Sequence, residues 1–157
     1  MNEVYCGDNL SILKEIKSES VNFIYIDPPF NTGKKQKLEQ IKVERSEDGD
    51  RTGYQGLKYK TIKVGNNSSY TDNFEDYEAF LRPRLEELYR ILAPDGTLCF
   101  HIDYREVHYC KVLLDTIFGR KSFLNEVIWH WDYGAKSKKK WSCKHNSILI
   151  YHRKPNR

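Results

Sequence analysis

Asp27-Pro28-Pro29-Phe30 is the stretch of this 157-residue chain whose residue types and spacing could do chemistry. A carboxylate and a backbone carbonyl one residue further on can accept the two N–H groups of a single amine. Two successive prolines fix the backbone, so neither acceptor has to reorganise while charge develops. The exocyclic amine of a nucleobase needs such help, because its lone pair is delocalised into the ring and attacks poorly until its geometry changes. Asp27 would supply one acceptor and the carbonyl of Pro28 the other, while Phe30 offers a π-face on which the base stacks. Such a base must first leave the duplex, where its amine is paired and out of reach. The same tetrapeptide also serves as a rigid turn closing a strand, and four residues alone do not separate the two uses.

The elements around it say where it sits. Val21 to Ile26 is an uncharged run with β-branched and aromatic residues, which predicts a strand buried on both faces of a parallel sheet. The prolines end it, so Asp27 is expected at the carboxyl end of a central strand, where open α/β sheets place their ligands. Upstream, Val4 to Cys6 reads as a short strand, and Gly7-Asp8 as the turn opening a helix with Leu10, Leu13 and Ile16 on one face. Residues 34–73 differ in character, with glycines, many charges and two alternating stretches, Gln40 to Arg45 and Leu57 to Val64. They predict an inserted hairpin or mobile excursion. From Phe74 to Leu92 the spacing is helical, with Pro83 expected to mark a kink or a second start. Thr97 to Ile102 is a further buried strand. Asp103 opens a helix with Val107, Cys110, Leu113, Leu114 and Ile117 inward and Gly119 as its C-cap. Asn125 to Trp131 and Asn146 to His152 form a closing antiparallel hairpin. The order implies an α/β fold, an open, mostly parallel sheet with an antiparallel C-terminal hairpin. Residues 1–157 read as a single unit with the 34–73 excursion inserted.

Composition narrows the classes. Hydrophobic residues at 39% and aromatics at 13% suffice for a packed core. No apolar run approaches the roughly 18 residues of a membrane span, and Met1 leads into polar residues rather than a signal peptide, so a cytoplasmic protein without membrane contact is expected. Cys6, Cys99, Cys110 and Cys143 show no CxxC pair, so no metal site is expected. The net charge of +4 is uneven: residues 120–157 hold ten basic and two acidic side chains, a balance of +8. Lys138, Lys139 and Lys140, set among Trp129, Trp131, Tyr133 and Trp141, suit a phosphate backbone with stacked bases. A lysine run is also an ordinary solvated loop.

Val21 through Gly33, with Ile-Asp-Pro-Pro-Phe-Asn-Thr-Gly at its end, resembles the catalytic motif of the DNA amino-methyltransferases, in the group whose catalytic motif precedes its cofactor motif. Gly96 to Asp103 with Glu106, Ile117-Phe118-Gly119 with Phe123 and Asn125 to Trp129, and His145 to Tyr151 resemble that family's following segments. The resemblance implies S-adenosylmethionine as methyl donor, DNA as substrate, adenine N6 or less often cytosine N4 as acceptor, and a role in restriction-modification. It places Asp27, Pro28, Pro29 and Phe30 in the catalytic tetrapeptide, Asp8 and Asp27 near the cofactor, and His145 near the substrate cleft. Asp8 equally suits a helix N-cap, and Asp103 with Glu106 a capping box.

One departure stands out: the family's Phe-x-Gly-x-Gly cofactor loop occurs nowhere in residues 1–157. A C-terminal remainder or a second chain is therefore expected to complete the site, and the sheet edge left exposed by the missing strands implies self-association alongside, as in a homodimer. The competing expectation is a non-catalytic nucleic-acid-binding remnant or subunit.

Overall fold

The computed structural model describes residues 2–38, 41–65, 68–133, 138–139 and 141–154. The chain divides into two compact units, one of residues 1–32 with 74–157 and the other of residues 33–73.

The first unit runs α1 (Asn9–Glu15) and β1 (Val21–Ile26), then, after the second unit, α2 (Tyr77–Ile91), β7 (Leu92–Asp103), α3 (Val107–Phe118), β8 (Phe123–His130) and β9 (His145–His152). Its sheet has the order β1-β7-β9-β8. β1 pairs with β7 in parallel, and β9 runs antiparallel to both β7 and β8. Three of the four strands therefore point one way and β9 alone runs against them. This is the expected open α/β sheet with its reversed C-terminal strand.

Alternation sets the core. Leu98, Phe100 and Ile102 of β7 and Leu149 and Tyr151 of β9 are almost wholly buried. Against them pack Leu81, Leu85 and Leu88 of α2 and Cys110, Leu113 and Leu114 of α3, spaced for one helical face. Burying each such aliphatic or aromatic side chain stabilises the fold by about 1.5–3 kcal/mol. Asp76 caps α2 by accepting from Ala79 N–H at 2.8 Å. Gly119 ends α3 at φ +86°, a conformation costly for other residues.

Three expectations are corrected. Val4 to Cys6 forms no strand: Val4 is 98% exposed, and no strand among the described residues offers this segment a ladder. Among the described residues β1 pairs with β7 alone and lies at the edge of the sheet rather than its centre, with Phe23 and Tyr25 largely exposed. An uncharged apolar run reports apolar surroundings and cannot count neighbouring strands. Pro83 does not start a second helix, since α2 is one element through it. The proline forfeits one backbone bond, and the buried leucines on either side of it hold the helix.

The second unit has two antiparallel sheets. β2 (Lys34–Leu38) pairs with β6 (Ser68–Asp72). β5 (Lys58–Lys63) lies between β3 (Ile41–Arg45) and the short β4 (Arg51–Thr52). The two alternating stretches of the sequence are β3 and β5.

Candidate active site

β1 delivers Asp27 at its carboxyl end, with its side chain 56% exposed. Pro28 behind it is buried. The carbonyl of Pro29 accepts the Tyr77 hydroxyl of α2, while no hydrogen bond to the Pro28 carbonyl occurs among the described residues. Asn31, at φ +53°, ties down the following loop. Its amide donates to Glu106 Oε1 at 2.8 Å, and its carbonyl accepts from Phe74 N–H at 3.0 Å. The tetrapeptide is thereby fixed from β1, α2 and the start of α3.

Those contacts also settle the capping box, which is not formed. Glu106 is the N-cap of α3 but makes no side-chain cap bond, its carboxylate being turned to Asn31. Asp103 accepts instead from Arg105 N–H at 2.9 Å.

Phe30 is half buried, its ring edge-on to His101 at 5.5 Å, and it also packs against the core. His101 lies within the Gly96 to Asp103 segment of the resemblance, but sequence reasoning gave it no role of its own. Its place follows from strand parity: Leu98, Phe100 and Ile102 face the helices, so His101 lies on the other face with Tyr25 and Asp27. Its Nδ1 is 2.8 Å from the Tyr25 hydroxyl and 3.6 Å from Asp27 Oδ1. Its Nε2 is 3.0 Å from Asn146 Nδ2, and Trp129 stacks on the ring at 6.3 Å.

Asp8 takes the N-cap place that the sequence allows it. As N-cap of α1 it accepts from Leu10 N–H, and it pairs with Arg84 of α2 at 2.8 Å. The Leu10 bond and then the Arg84 guanidinium hold its carboxyl below the usual carboxylate range. Asp8 also lines a cleft of about 330 Å³ with Gly7, Asn9, Asp27, Pro28, Phe80 and Arg84. Arg84 is the second residue that sequence reasoning missed. Its guanidinium lies 3.9 Å over the Phe80 ring and also donates to Asn9.

His145 opens β9 opposite His130, and among the described residues no hydrogen bond or ring contact joins it to Asp27. Its neighbour Asn146 is the residue that reaches the site, through His101. Lys138 and Lys139 are exposed, and Lys140 lies outside the described residues. Trp129, Tyr133 and Trp141 are 58%, 75% and 95% exposed. Among the described residues no group of His, Cys, Asp or Glu could hold a metal ion, and no helix is long and apolar enough to cross a membrane. All four cysteines are free. The thiol of Cys110 is pushed up to about 12 by burial and then by the charges of Glu106 and Asp103.

This arrangement, a carboxylate and a rigid carbonyl at a strand end beside a cleft, sits on an open α/β sheet. Residues 21–157 match the N6/N4 family described as DNA methylase, and the chain belongs to that family. Type II methyltransferase M.KpnI of Klebsiella pneumoniae is 29% identical over 154 residues, covering 96% of this chain and 32% of its own length. The EcoP15I Mod subunit of a type III restriction-modification enzyme of Escherichia coli is 29% identical over 157 residues, covering 92% and 23%. The chain thus spans about a third or less of these two relatives. Among solved structures, PvuII DNA methyltransferase, cytosine-N4-specific, superposes with a TM-score of 0.55 at 15% identity, covering 96% of this chain and 49% of its own. A DNA modification methylase of Thermus thermophilus, TTHA0409, complexed with S-adenosyl-L-methionine, gives 0.54 at 19% identity, covering 96% and 54%. At those identities the likeness is one of fold.

Proposed function

We propose that this chain is the base-activating part of a DNA methyltransferase acting on an exocyclic amine of a flipped base, adenine N6 before cytosine N4. The observation that carries the reading is the pair of acceptors at Asp27 and Pro28. The Tyr77 hydroxyl takes the Pro29 carbonyl, and Asn31 anchors the loop to Glu106, so the Pro28 carbonyl and the Asp27 carboxylate remain for the two N–H groups of one amine. Holding both favours the pyramidal nitrogen of the transition state over the planar ground state, the difference that accelerates a reaction. Asp27 then stabilises the positive charge that builds on the nitrogen as it is alkylated.

S-adenosylmethionine, when bound, supplies the activated methyl group. The cleft beside Asp27 fits one side of it. Asp8 and Asp27 are acceptors for sugar hydroxyls or a purine amine, and Phe80, Leu81 and Pro28 give apolar walls. The volume of about 330 Å³ lies at the small end of ligand pockets. A partner segment, either a C-terminal remainder or a second chain, would supply the other wall.

The test is Asp27→Ala, assayed with whatever segment completes the cofactor site. Single-turnover methylation should be abolished while DNA affinity stays within a few-fold, because the contact matters in the transition state. A wild-type rate in the variant refutes the assignment. Digestion of the product to nucleosides identifies N6-methyladenine or N4-methylcytosine. A protein that binds DNA but never methylates it would instead be a binding subunit.

A further inference from the structure

His101 is 14% exposed, is held on every side, and has one ring nitrogen directed at the proposed catalytic carboxylate. With the Asn146 amide nitrogen at 3.0 Å, Nε2 acts as acceptor, and the neutral ring must then carry its proton on Nδ1. That proton lies between the Tyr25 oxygen at 2.8 Å and Asp27 Oδ1 at 3.6 Å. Trp129 on one side and Phe30 edge-on at 5.5 Å limit rotation of the ring.

We propose that His101 is a positioning residue for Asp27: locked by Asn146 as the Nδ1–H tautomer, it holds Oδ1 of the carboxylate and leaves Oδ2 for the amine of the base. The proposal rests on the reading of Asp27 given above. A carboxylate with 56% of its side chain exposed would otherwise sample several rotamers, and an acceptor out of place by an ångström loses much of its effect. A separation of 3.6 Å is longer than a hydrogen bond. Contacts of this kind tighten once substrate excludes water. The tautomer matters because the Nε2–H form would turn a lone pair toward the carboxylate and repel it. Tyr25 is a fitting neighbour, since partial desolvation of its hydroxyl and then the charge of Asp27 hold its own proton more firmly than usual.

The first arm of the test needs only the 157-residue chain. Nitrogen NMR of labelled histidine should show His101 protonated on Nδ1 and bare on Nε2. Asp27→Asn should shift the Nδ1 signal, and Asn146→Ala should release the ring toward the Nε2–H form. An Nε2–H ring in the wild type, or an Nδ1 signal indifferent to Asp27→Asn, overturns the proposal. The second arm uses the methylation assay. His101→Gln, whose amide reproduces the Nε2 position, should slow single-turnover transfer by about 10- to 100-fold, the order expected when a reacting group is displaced by about an ångström. His101→Asn, whose amide reproduces Nδ1, should be markedly faster than His101→Gln, with DNA affinity equal in both. Equal rates in the two variants also overturn it. A wild type that never methylates DNA, yet shows the Nδ1–H tautomer coupled to Asp27, counts against the proposed function and in favour of this pairing.

Discussion

Phe30 shows how far single residues can be read. Its place after two prolines at a strand end suggests a stacking platform, and what the structure shows is a ring that packs against the core and meets His101 edge-on. Phe30→Ala should weaken binding of a mismatched or flipped target by about 1–3 kcal/mol, the value of one base–aromatic stack. Thermal unfolding in the same variant reports the packing share separately. An unchanged affinity for the mismatched duplex would leave Phe30 as core alone. Asp8 stays open between two readings in the sequence because one carboxylate can cap a helix and also face a ligand. His101 and Arg84 escape sequence reasoning for another reason: each acts through a partner some 75 positions away, Asp27 in one case and Asp8 in the other. Separations of that kind carry no local signal until strand pairing and helix packing are known.

At the scale of elements, periodicity locates both long helices and all four strands of the sheet but not their neighbours, so β1, expected at the centre, pairs on one side only among the described residues. Where α3 meets β9, Asp115 joins the two by accepting from Lys111 Nζ and from the Tyr151 hydroxyl, both at 2.8 Å. Burial alone would raise the Asp115 carboxyl, and those two hydrogen bonds outweigh it and hold the group below its ordinary 3.8. A depressed carboxylate stabilises the fold above its unfolded value and loses that contribution as pH falls through the folded one. Stability should therefore drop below about pH 4 more steeply in the wild type than in Asp115→Asn, as read from denaturant midpoints between about pH 7 and pH 3. Parallel profiles would show that the contact contributes nothing to acid sensitivity. The segment between β8 and β9 is the other element with a testable charge. Lys138 and Lys139 are exposed near Trp141 in the chain, and neutralising Lys138, Lys139 and Lys140 should lower the salt slope of DNA binding by about 0.9 per phosphate contact removed. A slope equal to that of the wild type makes this segment a solvated loop.

For the whole molecule, donor binding depends on two edges. β1 is hydrogen-bonded to β7 alone, so its outer N–H and C=O groups meet no strand among the described residues, and Phe23 and Tyr25 beside them are 60% and 49% exposed. The cleft that receives Asp8 and Asp27 is bounded on its known sides by Gly7 to Asn9, the end of β1 and the α2 residues Phe80, Leu81 and Arg84. No Phe-x-Gly-x-Gly turn exists in the 157 residues to approach a ligand from the opposite side. Pocket ligands bury about 70–90% of their surface. A donor covered on one side only would lose most of the favourable transfer while the cost of ordering it remains. The isolated chain should therefore bind S-adenosylmethionine with a Kd on the order of 1 mM or weaker, about −4 kcal/mol, and should methylate no DNA by itself. An unpaired strand edge flanked by exposed aromatics also invites another chain, so sedimentation should show self-association that a completing segment suppresses. Calorimetry with the donor, on the chain alone and then with that segment, decides the matter. Affinity should rise by orders of magnitude on mixing. A micromolar Kd for the chain alone, or labelled methyl groups passed to DNA by it, would mean that the residues around Asp8 and Arg84 already build the complete donor site.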